Sequence, residues 1–217
     1  MNLSYLASWI VLGTFFRTYC RSRYLNAERV PLKGRAILAS NHASFMDPPL
    51  VASGVWRQMN FLARDTLFTV PVVGSILRSW EVVPVDREGG GPGGLKGIMD
   101  RLERGHAVVL FPEGTRTRDG QIGKARSGIG LVVIKSDAPV VPVRLFGTRE
   151  AFGRGAKFIK PYRVQVKFGP PMDFAALRAE AKVCSKERLR RIYQQVADEL
   201  MFTIGRLEPC VDKATFP

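Results

Sequence analysis

The segment "RAILASNHASFMDPPLVASGVW", residues 35–56, decides how the chain is read, because its pattern changes twice within a few residues. Residues 35–40 form a short aliphatic run, the signature of a strand buried on both faces. Pro48 and Pro49 then open a second apolar stretch, and proline at the first helical position marks a helix start. Between the two lies "NHASFMD", residues 41–47, at the end of a strand, where open α/β sheets hold their ligands. Asp47, directly before Pro48, is explained simply as the helix N-cap. His42 has no such structural reason. Within one helix, residues five apart point roughly 140° away from each other, so the two side chains meet only if the backbone turns between them. A strand-to-helix loop supplies that turn. The carboxylate would then fix the imidazole tautomer and raise the basicity of the other ring nitrogen, as in a general base.

Downstream the chain keeps alternating short β-like runs with helical ones, which indicates an α/β domain. Strands are expected at "MNFLA" (59–63), "WEVVPV" (80–85), "AVVLF" (107–111), "VVPVRLF" (140–146) and "YRVQVKFG" (162–169). Helices are expected at 48–56, within 67–79, at 93–105, where Leu95, Ile98, Met99 and Leu102 share a face, and at 127–137. From Phe174 to about Gly205 the chain reads as helical with a break near Cys184 and a basic face that includes Arg178 and Arg188. The expected fold is a single α/β domain with a mixed, largely parallel sheet flanked by helices. A membrane-associated helical segment (1–30) precedes the main domain (31–217).

The 217 residues, 46% hydrophobic and 24% charged, suffice for one packed core. Cys20, Cys184 and Cys210 are too scattered for a disulfide framework or a zinc site, and no metal site is expected. The formal charge of +14 favours an anionic partner: nucleic acid, phospholipid or an acidic protein. Residues 1–16 carry no charge, and Arg17, Arg21, Arg23, Arg29, Lys33 and Arg35 follow with Glu28 the one acid among them. A bilayer span needs about 20 apolar residues, so this stretch is expected to lie in the interface or dip into one leaflet, with a buried helix packed on the domain as the other reading. The cations behind it place the protein on the cytoplasmic face of a membrane, such as a bacterial inner membrane. The apolar run from Leu67 to Leu77 is expected to pack in the core, with an acyl channel as the other reading.

Residues 108–120, "VVLFPEGTRTRDG", run from a buried strand into a turn shaped by Pro112 and Gly114 and carrying Glu113, Thr115, Arg116 and Arg118. Backbone amides and arginines at such a strand end can hold a phosphate. Gly89, Gly91 and Gly94 match a dinucleotide-binding fingerprint, but glycines this dense match many patterns by chance, and a surface loop accounts for them.

Together these segments resemble the glycerolipid acyltransferase family typified by 1-acylglycerol-3-phosphate acyltransferases. Its leading N-H-x-x-x-x-D signature stands here as Asn41, His42 and Asp47. Its second block resembles residues 63–87, with Arg64 where a lysine is common and Arg87 at the end. Its third, F-P-E-G-T-R, is unchanged at Phe111 to Arg116, and its fourth matches "VVPVRLFG". The resemblance implies transfer of a fatty acyl group from acyl-CoA or acyl-carrier protein to the free sn-2 hydroxyl of lysophosphatidic acid, giving phosphatidic acid without a cofactor. It implies His42 as base, Asp47 as its orienter, and Arg87, Glu113, Gly114, Thr115 and Arg116 as acceptor-binding residues. The family's downstream lysine falls on Lys124 or Arg126. Backbone amides near Gly114 or one of those two cations would stabilise the oxyanion. The expected partners are a phospholipid membrane, the lysophospholipid and the acyl donor, with no nucleic acid. The competing readings are another lyso acceptor, an aminolipid or lysophosphatidylcholine; an idle lipid-binding homologue; a serine nucleophile at Ser44; and a nucleic-acid-binding domain. Sparse aromatics among the basic segments argue against the last.

Overall fold

A computed structural model describes residues 1–85 and 92–210. In chain order the elements are α1 (Leu3–Thr18), β1 (Arg23–Leu25), β2 (Ala36–Ser40), α2 (Asp47–Ser53), β3 (Met59–Asn60), β4 (Leu62–Arg64), α3 (Pro71–Ser79) and β5 (Val83–Val85). Then follow α4 (Pro92–Glu103), β6 (Ala107–Leu110), α5 (Ser127–Ser136), β7 (Val140–Phe146), α6 (Thr148–Phe152), β8 (Gln165–Phe168), α7 (Ala175–Ala181) and α8 (Lys186–Arg206).

The main sheet has the order β1-β8-β7-β2-β6-β3. From β7 to β3 every neighbour is parallel, β8 runs antiparallel to β7, and β1 runs parallel to β8. The sheet is thus mixed and largely parallel, as the alternating pattern implied. Its central strands are aliphatic because both faces are covered. Ala36 and Leu38 of β2, with Ala107 and Val109 of β6, pack into a cluster containing Tyr5, Phe16, Leu50, Leu77 and Trp80 from the first three helices and the turn after them. Ile37, Ala39, Val108 and Leu110 point the other way, onto Ile98, Ile129, Val133 and α8. The result is three layers with a core on each side of the sheet.

Local chemistry explains the flanking elements. In α1 the Asn2 side chain accepts from the Tyr5 N–H as an N-cap, and the Tyr5 hydroxyl, accepting from Met59 N–H, is pushed up to about 12 by burial. Ser185 caps α8 by accepting from Arg188 N–H, and Ile192, Val196, Leu200 and Ile204 line the buried face of that helix. Each such residue contributes about 1.5–3 kcal/mol on burial.

The expected strand 59–63 divides. Met59 and Asn60 pair with β6, whereas Leu62 to Arg64 pair with β5 in a separate two-stranded sheet, the chain switching sheets at Phe61, whose carbonyl accepts from Val83 N–H. The basic face expected on the C-terminal helices is also incomplete. Arg178 is largely buried and donates to the carbonyls of Val133 and Ala138, tying α7 to the end of α5, and Arg188 pairs with Glu180. The run 67–77 is core only in part: Leu77 belongs to the cluster around Tyr5 and Trp80, and Leu67 and Phe68 pack against it. Gly74 and Leu77 are buried, while Val70, Val72, Val73 and Ile76 are exposed. β1 and α6 are additions to the expected elements, and among the described residues no helix is long and apolar enough to cross a membrane.

α5 and α8 touch backbone to backbone at Gly130, where an added Cβ would lie 1.9 Å from the Tyr193 carbonyl oxygen. Gly130→Ala is therefore expected to force the helices apart and lower stability by roughly 1–3 kcal/mol, read as a shifted denaturant midpoint.

Candidate active site

The register Ala36↔Ala107 to Ala39↔Leu110 brings the C-terminal ends of β2 and β6 level, so the loops that follow lie side by side. His42 heads one of them. Its Nδ1 lies 2.8 Å from Asp47 Oδ2, and that same oxygen accepts the N–H groups of Ala43 and Ser44, each at 2.7 Å. Asp47 is fully buried and is the first residue of α2 rather than its cap. Proline chemistry corrects the capping expectation. Pro48 and Pro49 have no N–H, and Leu50 N–H donates to the Met46 carbonyl, so the first turn offers the carboxylate no donor and it turns back to the loop.

The imidazole lies nearly flat on Phe111, with centroids 4.0 Å apart and planes 21° apart. With Nδ1 committed to Asp47, Nε2 is the nitrogen available to a substrate. The loop is held at both backbone atoms of the histidine: His42 N–H donates to Glu113 Oε1 at 3.1 Å, and Thr117 N–H donates to the His42 carbonyl at 2.8 Å. Asn41 clamps it to β7, accepting from Leu145 N–H and donating to the Leu145 carbonyl. Ser44 is buried, donates to the Phe152 carbonyl at 2.6 Å and accepts from Met46 N–H. Those bonds make Ser44 a structural residue and remove the serine-nucleophile reading.

Beyond Glu113, which holds the His42 N–H, is a cleft of about 380 Å³ lined by Glu113, Thr115, Arg116, Lys124 and Arg154, among others. Burial pushes the Glu113 carboxyl above the ordinary glutamate range, and the His42 N–H partly offsets that rise. Arg116 stacks on Phe45 with its guanidinium carbon 3.4 Å from the ring centroid. Burial lowers its pKa, the charges of Arg64 and Arg154 lower it further with Asp47 opposing them, and its buried Nη1 has no hydrogen-bond partner among the described residues. Clustered positive charge and an unused donor together suit an anion.

The sequence-derived set thus separates. His42, Asp47, Glu113, Thr115, Arg116 and Lys124 lie in or around one site. Gly114 adopts φ +68° and forms its turn, and the Arg126 side chain packs against it, within 2.9 Å of where a Cβ would sit. Arg126 N–H donates to the Pro112 carbonyl. Arg87 lies outside the described residues, as do Gly89 and Gly91 of the glycine cluster. Arg154, Phe45 and Phe111 were not singled out as site residues. Only Phe111 carried a signal, as the first residue of the F-P-E-G-T-R block; Arg154 stands in no motif.

A family model described as acyltransferase matches residues 21–145, more than half of the chain. The chain belongs to the acyltransferase family. Among curated relatives, the 1-acyl-sn-glycerol-3-phosphate acyltransferase of Bacillus subtilis is 30% identical over 76% of this acyltransferase chain and 78% of its own. A chloroplastic 1-acyl-sn-glycerol-3-phosphate acyltransferase of Arabidopsis thaliana is 34% identical over 57% of this chain. That match spans only 35% of the plant protein's length. The crystal structure of the 1-acyl-sn-glycerophosphate acyltransferase PlsC from Thermotoga maritima aligns with a TM-score of 0.71 at 25% identity, covering 94% of this chain and 81% of that one.

The raised Glu113 pKa has a consequence for stability. Below the ordinary glutamate pKa the carboxyl is neutral in both folded and unfolded states and burial costs nothing; as pH rises through the raised folded value, the folded state loses stability relative to the unfolded one. Glu113→Gln, which cannot ionise, is expected to melt close to wild type at pH 4 and above wild type at pH 7. Thermal melts at both pH values check this, and equal midpoints at pH 7 would contradict it.

Proposed function

We propose that the protein transfers a fatty acyl group from an acyl thioester to the sn-2 hydroxyl of lysophosphatidic acid, forming phosphatidic acid. The observation that carries this reading is the 2.8 Å contact between His42 Nδ1 and buried Asp47, joined through Glu113 to a cleft whose lining includes Arg116, Arg118, Lys124 and Arg154. The names of the relatives agree with it.

In this reaction His42 Nε2 takes the proton of the acceptor hydroxyl while its oxygen attacks the thioester carbonyl. The C–S bond then breaks, and the proton passes from the imidazolium to the departing thiolate. Asp47 holds the tautomer and steadies the imidazolium. Arg116 and Arg154 face the phosphate, with Arg64 adding positive charge. Glu113 fixes the loop through the His42 N–H. The Gly114 N–H already donates to the Phe111 carbonyl, so the oxyanion falls to Lys124 rather than to that amide. The donor is acyl-CoA or acyl-carrier protein, both anionic beside a protein of +14 charge. The chemistry requires no metal or redox cofactor. Residues 1–30 serve as the membrane-associated segment, with residues 31–217 as the acyltransferase domain.

Acyl transfer by purified protein to a panel of lysophospholipids, with both donor types, tests the reading. Product formation on lysophosphatidic acid is expected; selective use of a choline or amino headgroup would refute the acceptor assignment. His42→Ala is expected to fold normally and lose at least about 100-fold in turnover. Arg154→Gln is expected to raise KM for lysophosphatidic acid about tenfold with little change in kcat, because a charge-assisted phosphate contact contributes ~1.5–3 kcal/mol. An unchanged KM would remove Arg154 from the site.

A further inference from the structure

In the loop between His42 and Asp47, Ala43, Ser44 and Met46 are buried, whereas Phe45 is 53% exposed. The core does not need its ring. The backbone on either side is fixed, since the Ser44 hydroxyl donates to the Phe152 carbonyl at 2.6 Å and accepts from Met46 N–H at 3.1 Å. The Phe45 ring stands 6.3 Å from that of Phe152, tilted by 45°, and the guanidinium carbon of Arg116 lies 3.4 Å from its centroid. An N–H pointed at the ring would keep that carbon farther off. The guanidinium therefore lies face-on, and its donors radiate past the ring edge.

Arg116 needs something to hold it. Arg64 and Arg154 repel it, and although Asp47 attracts it, Asp47 Oδ2 is already bonded to His42, Ala43 and Ser44. Among the described residues no carboxylate pairs with Arg116, and its buried Nη1 has no hydrogen-bond partner. A carboxylate in place of Phe45 would hold the arginine more strongly, but it would also neutralise the charge and take up the donors that a phosphate uses. An aromatic face attracts the cation through its quadrupole and takes up none of them.

We propose that Phe45 is a positioning residue for acceptor binding, its ring face holding Arg116 at the cleft in place of a counter-ion, so that the guanidinium meets the substrate phosphate charged and with its donors unused. The proposal deepens the lysophosphatidic acid reading and rests on it for the identity of that phosphate. One loop then serves both halves of the reaction. His42 supplies the base, and Phe45, further along the same loop, holds the headgroup cation. The Ser44 hydroxyl, by binding the Phe152 carbonyl, also sets the turn that carries Arg154. The base and both phosphate-facing arginines are thereby held in register by residues 42–45.

The test is steady-state kinetics of the full chain on lysophosphatidic acid. Phe45→Leu is expected to raise KM for that acceptor about fivefold, leaving kcat, KM for the acyl donor and the melting temperature close to wild type. Phe45→Trp is expected to bring KM back to within about twofold, and Phe45→Glu to raise it beyond the leucine variant. Phenylalanine with successively more ring fluorines at position 45 is the deciding series. Fluorine withdraws electron density from the ring face while making the ring more apolar, so KM is expected to climb at each step. A flat or falling series would make Phe45 an apolar contact for the acyl chain and overturn the proposal. In an Arg116→Gln background Phe45→Leu is expected to add no further loss; additive losses would count against the pairing. Nuclear magnetic resonance of the Arg116 Nε–H needs no substrate: the ring current is expected to move this signal upfield in wild type, and Phe45→Leu to abolish the shift. A wild-type signal at the ordinary arginine position would place Arg116 off the ring and sink the idea. Should wild-type protein transfer no acyl group at all, the functional reading fails, and this signal, with its response to inorganic phosphate, still decides whether the ring holds the cation for an anion.

Discussion

The Glu113 carboxylate, buried between two strand-end loops, accepts the His42 N–H, while Thr117 N–H binds the His42 carbonyl from the same side. Those two bonds fix the histidine backbone to the loop after β6, and their alignment follows from the parallel register of β2 and β6. A carboxylate placed there is costly, as its raised pKa records, since burial opposes the ionised form. The fold offsets this with the peptide donor of His42 and, on the far side, with that of Gly123. Once the backbone is fixed, Phe111 under the ring and Asp47 at Nδ1 leave the imidazole little freedom. The imidazole proposed as general base is therefore positioned before any substrate arrives, and its orientation would cost nothing further at the moment of reaction.

The same loop shows how a local rule is overridden without strain. An aspartate before proline ordinarily caps a helix, yet two successive prolines remove the N–H groups that a cap would accept. The carboxylate then finds three donors behind it in Ala43, Ser44 and His42, and a capping residue becomes a histidine partner. Phe45 holds the Arg116 guanidinium through its ring face, and among the described residues the buried Nη1 has no hydrogen-bond partner. Direct pairing of Arg116 with Asp47 would neutralise both groups and remove the anion site and the base together.

Legibility in the sequence followed the strength of the local signal. β2 and β6 were clear because strands buried on both faces are continuously aliphatic, and the meeting of His42 with Asp47 required only the turn that a strand-to-helix loop provides. The sheet switch at Phe61 was hidden because "MNFLA" reads as one strand whichever partners its two halves choose. β1 is three residues inside a basic stretch, too short to show a period. Arg154 reaches the cleft through chain folding alone: the Ser44 hydroxyl holds the Phe152 carbonyl, and Arg154 is two residues further on. The outward valines of α3 were assigned to the core because a short apolar run does not reveal which of its residues turn inward.

α1, α2 and α3 cover the side of the sheet whose core cluster also receives Phe111 and Phe152, the residues beneath His42 and beside Phe45. The aromatic floor of the site is therefore built from the same core that seats these helices, so the packing that stabilises the fold also sets the position of the imidazole. Phe45 is exposed with Arg116 across its ring, so an apolar surface and a cation stand together, as the chain and phosphate of the proposed lysolipid acceptor do.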